Sequence, residues 1–191
     1  MGKTPEPAWQ SVRKDGNIEI RQYDPMIVAE VTIRGERYAA INDGFRILAG
    51  FIFGDNTVQK NIAMTAPVTQ EAENSQSEKI PMTAPVTQEA ADKNNEWIVR
   101  FVMPGNYTLA TLPKPNDARI RILEIPSYKT AIIRFSGFNT DKNLEKHEKD
   151  LIAWLQGNKI KFQGQPTYAF YNPPWTPPFM KRNEVMIKIS E

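Results

Sequence analysis

The same order of structural signals occurs twice along this chain of 191 residues. Each time, two segments that alternate apolar and polar residues flank a proline-containing turn, and a glycine and a helical pattern follow. The strands are predicted over 18–23 and 26–34 in the first occurrence, and over 118–125 and 129–136 in the second. We expect each strand pair to form a hairpin. The chain is therefore predicted to contain two similar halves, over about 17–104 and 117–190.

Apolar residues spaced three and four apart predict the two helices. The first runs from residue 36 to about residue 53, and its apolar stripe is Tyr38, Ile41, Phe45, Leu48 and Ile52. The second runs from 141 to 156 with Thr140 as its N-cap, and its stripe is Leu144, His147, Leu151, Trp154 and Leu155. A proline-interrupted extended stretch follows each helix, and a strand that opens with Asn-Glu closes each half, over 95–101 and 183–189. This pattern predicts an α+β fold in which two helix-backed sheets face each other across a cleft.

A second, much tighter repeat lies within the first half. The string IAMTAPVTQEA at 62–72 returns as IPMTAPVTQEA at 80–90, and only Ala63 and Pro81 differ. Proline cannot donate to a strand ladder, so Pro67, Pro81 and Pro85 are predicted to lie at sheet edges or bulges. The favoured interpretation is an edge hairpin lengthened by local duplication. The alternative is that these segments contact a ligand directly.

Composition excludes several classes of protein. The chain has no cysteine, so disulfides and thiolate chemistry are excluded. The 24 basic and 22 acidic residues leave a net charge of +2, which argues against a nucleic-acid binder. No apolar run is long enough to span a bilayer, and the extension at 1–16 lacks the apolar core of a signal peptide. We therefore expect a soluble, cytoplasmic protein, or a periplasmic one if an export signal has been removed.

Seven short motifs follow one another along the chain: IEIRQY at 18–23, FIFGDN at 51–56, AMTAPV at 63–68, VRFVMP at 99–104, LPKP at 112–115, RFSG at 134–137 and RNEV at 182–185. In this order and at this spacing, they resemble the SOUL heme-binding family in its bacterial form. The resemblance implies a single domain over 17–191. Its implied fold is a distorted β-barrel built from two pseudo-symmetric strand-strand-helix-strand-strand halves with two flanking helices, the gyrase-inhibitor-like architecture. The implied ligand is heme or a related porphyrin, with or without a metal.

In that family the proposed cleft lies between the first helix and the loop before the last strand. The resemblance therefore implies Phe45, Leu48, Ala49 and Ile52 on the helix, with Tyr171, Trp175, Phe179, Met180, Lys181 and Arg182 on or after the loop. This set suits a porphyrin, because a flat apolar plate with two carboxylates needs aromatic walls and a cation at the mouth. The alternative is that the loop merely caps one end of the barrel.

Candidates for metal ligation and catalysis are few. His147 is the only histidine, and its place among leucines favours a packed structural residue over an iron ligand. Met64 and Met82 are weaker candidates, and Glu30, Glu124 and Glu184 are candidate general bases. We expect a tetrapyrrole carrier or buffer without catalysis. Two alternatives stay open: a hydrolase or heme-dependent enzyme that uses the same cleft, and a gyrase-inhibitor-like module that binds a small molecule or a protein. The sequence leaves the oligomeric state open.

Overall fold

A computed structural model describes residues 4–59, 76–91 and 95–190. Its helices and strands match the predicted ones closely at most boundaries. In chain order they are β1 (Trp9–Asp15), β2 (Ile18–Tyr23), β3 (Met26–Arg34), α1 (Arg37–Ile52), β4 (Asn56–Thr57), β5 (Val86–Ala90), β6 (Glu96–Val102), β7 (Lys114–Pro115), β8 (Arg121–Ile125), β9 (Tyr128–Phe135), α2 (Asp141–Gly157), β10 (Phe162–Phe170) and β11 (Asn183–Ile189). A 3-10 turn (Pro178–Met180) precedes β11. No helix in the described ranges has both the length and the apolar character needed to cross a membrane.

Nine of the strands form one antiparallel sheet in the order β1-β2-β9-β11-β10-β5-β6-β3-β8. The predicted hairpins are wrong. Strand β2 pairs with β1 and with β9 of the other half, and β8 pairs with β3. The first predicted strand of each half, β2 or β8, therefore pairs with a strand of the other half. Without β1, the strand order reads β2-β9-β11-β10-β5-β6-β3-β8. If each strand is replaced by its counterpart in the other half, the same order is obtained, read from the opposite end of the sheet. This symmetry is expected of two related halves.

Short connections force this sheet to curl. Strands β2 and β3 are six strand spacings apart in the sheet, or roughly 29 Å if it were flat. Only Asp24 and Pro25 join them, so the Cα atoms of Tyr23 and Met26 lie within about 11 Å. The connection between β8 and β9 is equally short. The sheet is therefore curled but remains open, with β1 and β8 at its ends. The α+β class is confirmed. Among the described residues, the edge strands β1 and β8 do not pair with each other, so the sheet does not close into the predicted barrel.

Both helices pack on the same face of the sheet. Paired residues on neighbouring strands share a face, and one such row runs Val31, Val99, Gln88, Tyr168, Val185, Ile133 and Ile18. Val31 and Val99 pack in one apolar core with Leu48 and Phe51 of α1. Val185 and Ile133 pack in a second core with Leu144 and Leu151 of α2. The opposite face is left as the concave face of the curl.

The predicted apolar stripe of α1 is confirmed at Ile41, Leu48 and Ile52, which are buried, but not at its other two residues. Tyr38 is 63% exposed and Phe45 is 38% exposed, whereas Gly44 is buried. A Cβ atom on Gly44 would lie 2.6 Å from the Val99 side chain, so the missing side chain lets the helix approach β6. In α2 the predicted cap is confirmed, because the Thr140 hydroxyl accepts a hydrogen bond from the Asn143 amide at 3.3 Å.

Two further predictions require correction. Residues 9–15 belong to the predicted N-terminal extension, yet they form β1, whose mostly exposed residues give no apolar signal. The second copy of the tight repeat forms β5, which lies between β10 and β6 in the interior of the sheet and not in an edge hairpin. Pro85 is compatible with this position because it immediately precedes the strand. The first copy, with Met64 and Pro67, lies outside the described residues.

Two glycines of α1 provide a matched test of this packing. We expect Gly44→Ala to lower the free energy of unfolding by about 1–3 kcal/mol, because the new methyl group meets Val99. Gly50→Ala meets no atom within 4 Å, and the gain in helix propensity is expected to raise stability by about 0.5–1 kcal/mol. Urea denaturation measures both changes. Equal stabilisation by the two substitutions would contradict the close approach of α1 to β6.

Candidate functional site

The loop between β10 and β11 presents three large apolar side chains to solvent. Trp175 is 83% exposed, Phe179 is 78% exposed and Met180 is 63% exposed. Backbone hydrogen bonds hold the loop, from the Thr176 amide to the Pro173 carbonyl at 3.1 Å and from the Gly137 amide to the Pro178 carbonyl at 2.9 Å. Prolines 173, 174, 177 and 178 also fix backbone torsions. The loop is thus a stiff apolar surface.

The four site residues predicted on α1 are less accessible to a ligand than expected. Leu48, Ala49 and Ile52 are buried in the core, whereas Phe45 is partly exposed and its ring lies edge-on to Phe101 at 5.4 Å between centroids. Phe101 pairs with Val86 of β5, and Val86 pairs with Phe170, the residue just before the loop. This register places Phe45 and the start of the loop about two strand spacings apart, or roughly 10 Å. Of the four predicted helix residues, Phe45 is the one that offers appreciable surface.

The two predicted cations differ in their surroundings. Arg182 forms ion pairs with Glu6 at 2.8 Å and with Glu184 at 2.9 Å, and its guanidinium lies 3.6 Å from the centroid of the Tyr171 ring. The half-buried Lys181 side chain has no carboxylate partner within the described part of the chain. Arg182 is therefore already paired with carboxylates of the protein, and of these two cations Lys181 is the one that can pair with a ligand.

Tyr171 belongs to the same buried network and not to an open aromatic wall. Its hydroxyl donates to the Glu184 Oε2 atom at 2.6 Å. Burial raises the pKa of Tyr171 well above its usual value, and the negative charge of Glu184 raises it further. Tyr171 thus stays a neutral hydrogen-bond donor.

The buried carboxylates of the concave face are paired with arginines. Glu184 is fully buried and accepts hydrogen bonds from Arg21 at 3.1 and 3.2 Å, in addition to those from Arg182 and Tyr171. Burial by itself would lower the pKa of Arg21, but the charge and hydrogen bonds of Glu184 together with the contacts of Tyr23 outweigh it, so the net pKa is raised. Arg21 was missed in the sequence because 163 residues separate it from Glu184.

The other candidate carboxylates do not form a catalytic arrangement with Glu184. Glu30 is 2% exposed and pairs with Arg100 at 2.7 Å and Arg121 at 2.5 Å, while Glu124 is exposed at the sheet edge. The carboxylates of Glu30 and Glu184 are each already engaged by two guanidinium groups. Glu30 and Glu184 therefore have the surroundings of structural ions.

His147 occupies a structural position. Its ring stacks on Phe135 with the centroids 3.9 Å apart, and Nδ1 lies 2.8 Å from the Asn143 carbonyl oxygen. Since a carbonyl only accepts, Nδ1 carries the proton. The parts of the chain that the structure describes contain no group of three or more His, Cys, Asp or Glu side chains that could hold a metal ion.

Solved structures with the same general fold support this architecture. The C-terminal domain of EcmrR has a TM-score of 0.63 at 11% identity, and the match covers 96% of this chain and 98% of that domain. A structure described as a hydrolase from Listeria innocua has a TM-score of 0.55 at 9% identity, covering 99% of this chain and 94% of that one. At these identities the likeness concerns the fold alone. No curated protein sequence gives a significant match.

The family follows from the sequence. The model of the SOUL heme-binding protein family matches residues 4–74 and 69–188. The chain belongs to the SOUL heme-binding protein family, as the motifs predicted. The two matched ranges overlap at 69–74, which includes the end of the first copy of the tight repeat at 62–72.

The network around Glu184 is expected to stabilise the exchanged strands. Glu184→Gln leaves Arg21 and Arg182 without a full countercharge, so we expect the free energy of unfolding to fall by about 3–5 kcal/mol. Asp43→Asn is the control, since it breaks a surface pair with Arg46 and should change stability by less than about 1 kcal/mol. Chemical denaturation of both variants checks this. Equal, small effects would show that the buried network does not stabilise the fold.

Proposed function

We propose that this protein binds heme or a related tetrapyrrole reversibly and acts as a carrier or buffer without catalysis. The observation that carries the proposal is the stiff loop that holds Trp175, Phe179 and Met180 in solvent. Exposed apolar surface of this kind marks a binding site, because its burial against a ligand is favourable. Membership of the SOUL family supports a tetrapyrrole as that ligand.

The proposed site has an apolar wall and a charged mouth. The proposed tetrapyrrole groove lies between the loop and α1: one side of the porphyrin packs on Trp175 and Phe179 of the loop, and Phe45 of α1 forms the other wall. The side chains of Leu48, Ala49 and Ile52 are buried beneath α1 and hold this helix on the sheet. Lys181 pairs with a propionate, since its ammonium group has no carboxylate partner among the described residues. Tyr171 and Arg182 hold the base of the loop through Glu184.

Binding at this site does not depend on iron coordination. Iron bound in the porphyrin would supply a Lewis-acidic centre, but the His147 ring is stacked on Phe135 with the centroids 3.9 Å apart, and this packing supports a structural role for His147. The arginine-paired states of Glu30 and Glu184 also favour binding over general-base catalysis. These features support a carrier or buffer better than an enzyme.

Hemin titration tests the proposal. We expect the double substitution Trp175→Ser and Phe179→Ser to weaken hemin binding about tenfold or more, because both aromatic surfaces lose their contact with the porphyrin. The Soret band measures binding. Val12→Ser is the control, since Val12 is a 55% exposed apolar residue on the edge strand β1. An unchanged affinity in the double variant would exclude the loop as the binding surface.

The same titration with metal-free protoporphyrin separates apolar binding from iron ligation. We expect its affinity to lie within about tenfold of that of hemin, and His147→Gln to leave the Soret position of the hemin complex unchanged. A preference for hemin of several orders of magnitude, or a shifted Soret band in the His147 variant, would show that iron is ligated.

The cation at the mouth can be identified with propionate esters. We expect Lys181→Ala to weaken hemin binding by about tenfold, equivalent to about 1.4 kcal/mol, and to have little effect on the dimethyl ester of hemin. Arg182→Ala should act mainly on stability, because Arg182 is already paired with Glu6 and Glu184. Loss of affinity in the Arg182 variant alone, at unchanged stability, would reverse this assignment.

A further inference from the structure

The concave face of the sheet holds a cleft that the proposed tetrapyrrole site does not use. Its empty space is about 710 Å³, including the part open to solvent. Residues from both ends of the sheet line it, among them Met26 and Val28 of β3, Tyr128 of β9 and Met186 of β11. The rings of Tyr23 and Tyr128 stack at its wall, 5.3 Å apart. The cleft is thus mainly apolar and is partly open to solvent.

Three charged side chains reach the cleft, and two of them neutralise each other. Arg100 binds Glu89 and Glu30, each at 2.7 Å, and Thr167 donates to Glu89 at 3.4 Å. The third, Lys188, is exposed, and its ammonium lies 5.1 Å from the centroid of the Tyr128 ring. It has no carboxylate partner among the residues that the structure describes. Lys188 is therefore the charge in the cleft that a ligand can pair with.

A second polar group beside Lys188 is also available. The Tyr128 hydroxyl has no protein hydrogen-bond partner within the described ranges, and burial raises its pKa, so it remains a donor at neutral pH. Lys188 and Tyr128 lie on neighbouring strands, because Lys188 pairs with Thr130. Two donors next to an apolar cleft are suited to an anion with an apolar body.

The N-terminal segment limits the size of the ligand. Pro7 contributes to the lining, the Pro5 carbonyl accepts a hydrogen bond from the Ala84 amide at 2.8 Å, and Glu6 pairs with Arg182. Residues 4–8 are thereby held along one side of the cleft. A compact ligand fits beside this segment more easily than a porphyrin does.

From these contacts we propose that the concave cleft binds a small apolar monocarboxylate, whose carboxylate pairs with Lys188 and accepts a hydrogen bond from Tyr128. Glu89 does not reverse the preference, because Arg100 already neutralises it. The site is separate from the proposed tetrapyrrole groove: Phe45 lies on α1, on the helix-bearing face, and the cleft lies on the opposite face.

Three probes of one shape test the charge preference. In the full-length protein we expect 2-naphthoate to bind about fivefold or more tightly than 2-naphthamide, and the cation 2-naphthylmethylammonium to bind most weakly. Calorimetry or ligand fluorescence measures the three affinities. Equal affinity for the anion and the amide, or preference for the cation, would overturn the proposal.

A substitution then locates the effect. Lys188→Met keeps most of the apolar stem and should abolish the preference for naphthoate over naphthamide, whereas Lys146→Met on the exposed side of α2 should leave it intact. Retention of the preference in the Lys188 variant would overturn the assignment. Hemin at saturation should not displace naphthoate. Displacement would show that the cleft is not a separate site, whereas failure of hemin to bind at all would bear only on the tetrapyrrole proposal.

Discussion

The structure depends on two connections of two residues each. Asp24 and Pro25 link β2 to β3, and Pro126 and Ser127 link β8 to β9, although each connection joins strands that lie near opposite ends of the sheet. Proline fixes one backbone torsion in each link. A flat sheet would place the joined strands tens of ångströms apart, so the sheet curls. The curl separates a convex face covered by helices from a concave face that encloses a cleft.

Because the first predicted strand of each half pairs with the other half, the buried ion pairs join residues that are far apart in the sequence. Arg21 comes from the first half and Glu184 from the second, and together with Arg182 they form a buried network. Replacing such ions by apolar groups is often neutral for stability, but removing one partner is not. The network thus favours the exchanged pairing over local hairpins, in which Arg21 would lose the Glu184 carboxylate. It also fixes the base of the aromatic loop, because Tyr171 and Arg182 bind the same carboxylate.

The two faces offer different chemistry for binding. On the loop, aromatic side chains project into solvent on a backbone fixed by prolines and hydrogen bonds, so little conformational entropy is lost when a flat ligand covers them. In the cleft, apolar residues from several strands surround a neutralised ion pair and leave Lys188 without a carboxylate partner among the described residues. One surface suits a large planar molecule, and the other suits a compact anion.

The sequence by itself determined the local structure and the family. Alternation and helical spacing predicted β2, β3, β11 and both helices nearly to the residue, because these signals depend on neighbours within one or two turns. Ordered motifs predicted the SOUL family. Strand β1 was missed because its residues are mostly exposed and give no apolar pattern.

Only the tertiary structure decided which strands pair and which side chains remain accessible. The hairpin prediction failed because alternation shows that a segment is a strand but not which strand lies beside it. For the same reason β5 was placed at an edge, although it lies in the sheet interior. Arg182 and Lys181 are adjacent in sequence, yet Arg182 is paired with Glu6, which is 176 residues away. Contacts at that separation depend on the curl of the sheet, and no local pattern in the sequence records them.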